Sequence, residues 1–323
     1  MSAEAPQVCI IGAGPAGLSA ALWLHNLGLR VTVLEQAAQA GGMQQLNFLA
    51  NDWVLGQPGL SGPELAHRFV AHVAGHKEIC LSCGRVPAYI ARAGHGGFRV
   101  GLSDGEILDC AAILLATGTR YRAEETMAQV GGFAVCRERF TFGPHAFRNL
   151  DRLAGQRVLI VGGGDNAFEN ARFLLARGCR VTLAARSALR AQRAMRLAVQ
   201  AESGCRILCP ARLRHVSMHG DEIVATLTTS DARMQEEAYD RVHVLAGYQP
   251  NTSFLHECME PESLQSLVFD ASGYLKADAA CRTGCAGFYA AGDVCNVTHP
   301  CVVTALAAGA QAARSIELDL RSI

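Results

Sequence analysis

The chain has 323 residues, a length that suits two domains of roughly 100–200 residues each. Half of the residues are hydrophobic and 18% are charged, so the chain can bury sizeable cores. Lys plus Arg equal Asp plus Glu at 29 each, and this zero net charge gives no general attraction to nucleic acid or anionic membranes. We therefore expect neither as a partner.

The start of the chain shows no targeting signal. Residues 1–7 lack the basic and apolar regions of a signal peptide. No uncharged apolar run approaches the roughly 20 residues that span a bilayer. We expect a cytoplasmic protein, in which most of the 13 cysteines are buried free thiols.

The first predicted elements are a strand, a glycine turn, a helix and a second strand over residues 7–35. The glycines allow a tight turn and the close approach of a pyrophosphate, and the helix N-terminus offers N–H groups to phosphates. A carboxylate at the end of the second strand can accept hydrogen bonds from a ribose. A glycine-rich turn without a ligand is the alternative. The candidate dinucleotide-binding residues here are Gly12, Gly14, Pro15, Ala16, Gly17 and Glu35.

The same pattern is repeated over residues 156–186, offset by 150 residues. The second strand of this copy ends at Ala185 instead of a carboxylate, and two arginines follow it. Nearby guanidinium groups suit a ribose 2′-phosphate, which favours NADPH over NADH. A solvated helix start is the alternative reading of these arginines. The candidate nucleotide-binding residues are Gly162, Gly164, Asp165, Asn166, Ala167, Arg186 and Arg190.

Further motifs stand at intervals along the chain. They are Gly41–Gly42, Ala116–Thr117–Gly118, Gly247–Thr252, Ala290–Asp293 and Thr304–Ala305. Together with the two glycine turns, they resemble in type and order the thioredoxin reductase-like flavoproteins of the pyridine nucleotide-disulfide oxidoreductase superfamily. The resemblance covers essentially the whole chain and implies an FAD- and NAD(P)-dependent oxidoreductase.

The resemblance implies a role for each motif. The glycine pair lies on the flavin side, the Ala-Thr-Gly segment is a hinge, and the late aspartate holds the FAD ribityl chain. The last motif begins a helix whose N-terminus faces the flavin pyrimidine. The further FAD-binding residues implied in this way are Gly42, Ala116, Thr117, Gly118, Gly292, Asp293, Thr304 and Ala305.

The resemblance also implies an α/β fold with two Rossmann-like dinucleotide-binding domains, one inserted in the other. The FAD-binding domain would comprise residues 1–118 and 247–323, and the NAD(P)-binding domain residues 119–246. Members of the family are usually homodimers, and we expect the same of this chain.

The chain departs from thioredoxin reductases at the redox-active cysteines. Those enzymes carry Cys-x-x-Cys shortly before the second glycine turn, whereas Phe133–Arg139 contains Cys136 alone. Residues 145–164 resemble instead the ferredoxin–NADP reductases of the same fold, which lack the dithiol. Those reductases usually have a C-terminal extension over the flavin, and because the sequence ends at Ile323 we expect none here.

Other cysteines are weak candidates for chemistry. Cys80 and Cys83 form a Cys-x-x-Cys in a strand-like stretch, where we expect a structural role. Four cysteines between residues 281 and 301 have spacings too irregular to predict a zinc site. For Cys301 we expect packing, with a reactive thiol near the flavin as the alternative. We nominate no metal ligand and no catalytic side chain.

The leading hypothesis is electron transfer from NADPH or NADH through FAD to a carrier such as ferredoxin or flavodoxin. The cofactors supply this chemistry, so it requires no acid–base residue. Three alternatives stay open. They are a thioredoxin reductase-like disulfide oxidoreductase with atypical cysteines, an FAD-dependent oxidase acting on a small molecule, and a flavin-binding sensor with little turnover.

Overall fold

The computed structural model describes residues 5–94, 96–143, 153–230 and 233–321. Most of the stretch that resembles ferredoxin–NADP reductases before the second glycine turn, residues 145–152, lies outside this range. So do the first four residues and the last two.

The secondary structure alternates between strands and helices throughout. Up to the first crossing between compact units, the elements are β1 (Gln7–Ile11), α1 (Pro15–Asn26), β2 (Arg30–Glu35), β3 (Ala50–Asn51), β4 (Leu60–Ser61), α2 (Gly62–Ala74), β5 (Ile79–Cys83), β6 (Pro87–Arg92), β7 (Phe98–Leu102), β8 (Ile107–Cys110), β9 (Ala112–Leu115) and β10 (Thr119–Tyr121). The next elements are α3 (Phe133–Cys136), β11 (Phe140–Phe142), β12 (Arg157–Val161), α4 (Asp165–Leu175), β13 (Arg180–Ala184), α5 (Arg193–Gln200), β14 (Cys205–Leu208), β15 (Ala211–His219), β16 (Glu222–Thr229), β17 (Met234–Tyr239) and β18 (Arg241–Val244). The chain ends with β19 (Tyr248–Pro250), α6 (Leu255–Cys258), α7 (Pro261–Gln265), β20 (Phe288–Ala290) and α8 (Val302–Arg321).

Residues up to Arg120, together with those from Gln249 onward, form the first compact unit. Its main sheet has the strand order β20-β9-β1-β2-β5, and all four pairings are parallel. A parallel sheet is covered on both faces, which explains why Val8, Cys9 and Ile10 of β1 are fully buried. Helices α1 and α8 pack on one face, and the antiparallel sheet β6-β7-β8 packs on the other.

Residues 121–248 form the second compact unit. Its main sheet has the order β11-β18-β12-β13-β14, again with parallel pairings. The antiparallel sheet β15-β16-β17 packs on one face and shares a core with it, in which Val216 and Tyr239 contact the side of Leu159 and Val242.

Both main sheets confirm the predicted repeat and the α/β fold class. In the first, β1 lies between β2 and β9, and in the second, β12 lies between β13 and β18. A glycine turn follows the carboxyl end of each of these central strands, at the point where the strand order reverses and open α/β sheets bind ligands. Pro15 occupies the first position of α1, where a missing N–H costs nothing.

The chain crosses between the two units after Arg120 and again after Tyr248. Each crossing lies two residues beyond the boundary expected from the motifs, at 118 and 246. The assignment of one cofactor to each unit stays a prediction.

Candidate functional site

The first glycine turn contains two glycines that the fold itself requires. Gly12 has φ of 108°, and a Cβ placed there would lie 2.4 Å from the carbonyl oxygen of Ala116. A Cβ on Gly17 would lie 1.9 Å from the carbonyl oxygen of Gly12. Neither position can carry a side chain, because the strand, the turn and the helix pack directly against each other.

Gly14 is different. Its backbone is extended, with φ of −78°, a conformation that any residue adopts. Among the described residues outside its own chain neighbours, a Cβ there would meet only the Cα of Gly42, at an ordinary 3.8 Å. The fold therefore does not explain a glycine at this position, whereas the close approach of a pyrophosphate does.

The glycine pair predicted to lie on the flavin side comes close to this turn. Gly41 donates its N–H to the carbonyl oxygen of Ala13 at 2.8 Å. Gly42 has φ of 57°, and a Cβ on it would lie 2.9 Å from the Cα of Gly14. The structure thus brings these two candidate segments of the first unit together.

Glu35 is buried at the carboxyl end of β2, beside the turn. Its Oε2 accepts the N–H of Ala13 and its Oε1 accepts the N–H of Ala37, both at 2.9 Å. A carboxylate has about four acceptor sites, so each oxygen keeps capacity for a ribose hydroxyl. The carboxylate is therefore already held in place without any ligand.

Asp293 provides the sharpest sign of a missing partner. Its Oδ1 is buried and has no hydrogen-bond partner among the described residues. Burial raises the pKa of Asp293 to about 6, because nothing compensates for the loss of water around the charge. The ribityl hydroxyls of FAD are donors of the kind that such an oxygen lacks. The residues present therefore fit the cofactor that the motif implied.

Three of the remaining candidates lie next to Asp293 in the first unit. Gly292 has φ of 80°, and a Cβ there would lie 2.7 Å from that of Ala16 and 3.8 Å from that of Ala305. Thr304, in the first turn of α8, accepts the N–H of Cys301 and donates its hydroxyl to the carbonyl oxygen of His299 at 2.8 Å. The start of α8 is thus fixed beside the segment that carries the unpaired carboxylate.

The hinge-like segment makes contacts that account for its residues within the fold. Ala116 is buried, and Gly118 has φ of 61°. Thr117 donates its hydroxyl to the carbonyl oxygen of Asn251 at 2.8 Å, and the Asn251 side chain donates back to the carbonyl oxygen of Thr117 at 2.9 Å. Cofactor contacts from this segment stay a prediction.

The second glycine turn repeats the division of roles. A Cβ on Gly162 would lie 2.6 Å from the carbonyl oxygen of Leu245 and 3.2 Å from the Cβ of Ala167. A Cβ on Gly163 would lie 2.9 Å from that of Ala185. A Cβ on Gly164 would meet no atom of the described chain within 4 Å. As at Gly14, the open position is the one that a pyrophosphate would approach.

Two polar candidates beside this turn are already hydrogen-bonded. Asp165 accepts the backbone N–H of Gln192 at 2.8 Å and its side-chain N–H at 3.2 Å. Asn166 donates its amide to the hydroxyl of Tyr248, which contacts the hydroxyl of Tyr121 at 3.1 Å. The sequence motifs did not identify Gln192 or the tyrosine pair, because these partners lie far from the turn along the chain.

Arg186 and Arg190 are both exposed on the segment that follows β13. The backbone N–H groups of Arg190 and Ala191 donate to the carbonyl oxygen of Gly163, at 2.8 and 3.2 Å. The backbone of Arg190 therefore lies beside the second glycine turn, as the proposed 2′-phosphate site requires.

The cysteines offer no dithiol suited to exchange in the described part of the chain. Cys80 and Cys83 lie on the edge strand β5, where residues three apart are separated by about 10 Å, beyond the roughly 4.4–6.8 Å of a disulfide. Cys9 and Cys110 do interact, but a hydrogen bond from Cys110 and complete burial raise the pKa of Cys9 well above its usual value. Thiolate formation is therefore opposed at this pair.

Cys136 and Cys301 were the other candidates. Cys136 is buried in the core of the second unit, and burial raises its pKa. Cys301 is exposed, and its sulfur accepts the N–H of Thr304 at 3.4 Å, so its side chain caps α8.

Two further searches concern the described residues alone. No three His, Cys, Asp or Glu side chains there are grouped to hold a metal ion. No helix among them is both long and apolar enough to cross a bilayer.

Comparison with known proteins gives consistent matches. A family model for pyridine nucleotide-disulphide oxidoreductases matches residues 6–312. The chain is 30% identical over 314 residues to a ferredoxin–NADP reductase of Thermus thermophilus, covering 93% of this chain and 87% of that protein. It is 30% identical over 316 residues to one of the alkyl hydroperoxide reductase proteins of Pseudomonas putida, covering 96% of this chain but only 57% of that longer relative. The solved thioredoxin reductase of Lactococcus lactis shares its fold, with a TM-score of 0.84, 23% identity, and coverage of 98% of this chain and 100% of that one.

Proposed function

The chain belongs to the pyridine nucleotide-disulphide oxidoreductase family, and from this premise we propose that it passes electrons from NADPH through FAD to a one-electron carrier protein. Membership of the family makes it an FAD- and NAD(P)-dependent oxidoreductase. The class of acceptor, ferredoxin or flavodoxin, and the preference for NADPH are the parts that we propose.

In the first unit, the residues around the first glycine turn would hold FAD. The space at Gly14 and the N-terminus of α1 suit the pyrophosphate, and Glu35 suits the adenosine ribose. Asp293 would use its unpaired Oδ1 to accept a ribityl hydroxyl. When bound, FAD supplies the redox chemistry, since it can take a hydride and release electrons singly.

In the second unit, the residues around the second glycine turn would hold NADPH. The space at Gly164 and the N-terminus of α4 suit the pyrophosphate. Arg186 and Arg190 would bind the 2′-phosphate through charge-assisted hydrogen bonds. No carboxylate stands at Ala185 to repel that phosphate or to favour a free 2′-hydroxyl.

The observation that favours a carrier protein over a disulfide is the geometry of the cysteines. A disulfide reductase passes electrons from the flavin to two sulfurs that can pair. In the described part of the chain, Cys80 and Cys83 are too far apart along a strand, and Cys136 is buried in a core without another cysteine. The ferredoxin–NADP reductase relative matches most of its own length to this chain, which is consistent with the proposal.

Replacing four cysteines one at a time tests this function. The variants are Cys80→Ser, Cys83→Ser, Cys136→Ala and Cys301→Ser. NADPH-driven reduction of a ferredoxin and of an artificial one-electron acceptor should persist in each, with small losses where a buried thiol fills space. A fall of about a hundredfold in any variant that still binds FAD, equivalent to about 2.7 kcal/mol of barrier, would instead favour a disulfide reductase.

The alternatives predict different measurements on the same protein. Rapid peroxide formation, with no benefit from a carrier, would identify an oxidase. Negligible turnover with every acceptor would identify a sensor. We also propose a homodimer, by analogy with the family, and the molecular mass in solution tests it.

A further inference from the structure

Four hydrogen bonds join the segment that carries the two arginines to the second glycine turn. Two run from the backbone of Arg190 and Ala191 to the carbonyl oxygen of Gly163, at 2.8 and 3.2 Å. The other two run from the backbone and side chain of Gln192 to the carboxylate of Asp165, at 2.8 and 3.2 Å. Gln192 immediately precedes α5, and Asp165 is the first residue of α4.

The carboxylate of Asp165 is a poor ligand for the nucleotide itself. Its negative charge would repel a pyrophosphate at the start of α4. A negative potential is already present there, because burial and then the charge of Asp165 raise the pKa of Glu169 one turn further on. The bonds to Gln192 give this carboxylate another role.

We infer that Asp165 and Gln192 are positioning residues that hold the 186–191 segment against the glycine turn, and so determine the preference for a nucleotide with a 2′-phosphate. The inference rests on the proposed nucleotide site. Arg186 and Arg190 are exposed, and exposed arginines lose much rotamer freedom on binding. Fixing their backbone in advance lowers the part of this cost that belongs to the loop.

The rest of the turn has separate support. Gly162 packs against the carbonyl oxygen of Leu245, and Gly163 packs against Ala185. The pyrophosphate space at Gly164 therefore does not depend on Gln192. Loss of the clip between Asp165 and Gln192 should weaken recognition of the 2′-phosphate and leave the rest of the nucleotide site nearly unchanged.

Two fragments of the nucleotide separate these effects. Binding of 2′,5′-ADP and of 5′-AMP to the FAD-loaded protein would be measured by calorimetry. In Asp165→Ala, we expect the affinity for 2′,5′-ADP to fall about tenfold, or about 1.4 kcal/mol, and that for 5′-AMP to change less than about threefold. Asp165→Asn should recover most of the affinity, because its carbonyl oxygen can still accept the Gln192 backbone N–H.

Gln192→Ala tests the other side of the clip, and Gln200→Ala, at the far end of α5, is the matched control. We expect a smaller loss of 2′,5′-ADP binding in Gln192→Ala than in Asp165→Ala, and none in the control. In turnover, KM for NADPH should rise while kcat and KM for NADH stay constant.

The outcomes distinguish the inference from its premise. If the wild-type protein binds 2′,5′-ADP no better than 5′-AMP, the proposed 2′-phosphate site is wrong and the inference falls with it. If the wild type discriminates but Asp165→Ala discriminates equally well, or loses both ligands equally, the positioning role is wrong and the site survives. If Asp165→Ala does not fold, Asp165→Asn and Gln192→Ala decide the question by the same ratio.

Discussion

Replacing Gly14 by valine should separate the fold of the first unit from its cofactor. The backbone at this position is extended, so a β-branched residue can adopt it without strain. The Cβ would have a single neighbour in the described structure, the Cα of Gly42 at 3.8 Å, so a rotamer can turn both methyl groups away from it. Those methyl groups would then enter the space proposed for the pyrophosphate.

The effect on the apoprotein should be small. Removing a glycine stabilises by about 0.4–1 kcal/mol through the unfolded chain. Losing glycine at the N-cap of α1 costs about the same amount, so the two effects nearly cancel. We expect the free energy of unfolding of the apoprotein to change by less than about 1 kcal/mol.

The effect on FAD should be large. Pushing the pyrophosphate away from the N-terminus of α1 would break hydrogen bonds to a charged group, each worth about 1.5–3 kcal/mol. Losing two of them lowers the affinity by about a hundredfold or more. The assay is the flavin absorbance per chain after purification and after titration of the apoprotein with FAD, beside urea unfolding of the apoprotein.

Gly17→Ala is the matched control, because a Cβ added there meets the carbonyl oxygen of Gly12 at 1.9 Å. That variant should destabilise the apoprotein itself, by about 1–3 kcal/mol. Full FAD occupancy in Gly14→Val would refute the cofactor assignment. Equal destabilisation of the two apoproteins would refute the division of roles among the glycines.

Three further predictions concern charge. The double variant Arg186→Ala/Arg190→Ala should lose a preference for NADPH over NADH of about a hundredfold, and an unchanged ratio of kcat/KM values would contradict the role of both arginines. Burial lowers the pKa of His243 from 6.5 to about 4, so the stability of the second unit should be complete above pH 6.5 and fall by about 3 kcal/mol between pH 6.5 and 4. His243→Leu should flatten that profile in urea unfolding, and an identical slope would show that other groups cause it. Burial raises the pKa of Asp293 from 3.8 to about 6, so the apoprotein should lose about 3 kcal/mol as pH rises through this range. Asp293→Asn should therefore stabilise the apoprotein at neutral pH while weakening FAD binding, and a less stable apoprotein would count against an unpaired carboxylate.

The sequence predicted the two strand–turn–helix–strand repeats because each depends on local signals, glycine spacing and apolar runs, that need no knowledge of the rest of the chain. The same signals could not separate Gly14 from Gly12 and Gly17, since all three are the same residue in the same motif. Only the neighbours across the fold, the carbonyl oxygens of Ala116 and Gly12 and the Cα of Gly42, show which glycine the fold requires.

Long-range partners account for what the sequence could not supply. Asp165 was predicted to bind the cofactor because it adjoins the glycine turn, but its hydrogen-bond partner Gln192 lies in another loop, which no motif connects to it. The strand around Cys80 and Cys83 was predicted correctly. Their exposure was not, because it depends on β5 being the edge strand, and strand order is a property of the whole sheet.

The two turns also show how one architecture can accommodate two different riboses. In the first unit, the turn is held by a side chain, since Glu35 accepts the N–H of Ala13. In the second, Ala185 occupies the corresponding strand end, and the turn is held by backbone groups of Arg190 and Ala191 that donate to Gly163. A carboxylate anchor places a negative charge where a 2′-phosphate would sit, whereas a backbone anchor places none. Under the proposed assignment, replacing the carboxylate by a backbone anchor is what makes the second site compatible with NADPH, and the arginines can add affinity only because that repulsion is absent.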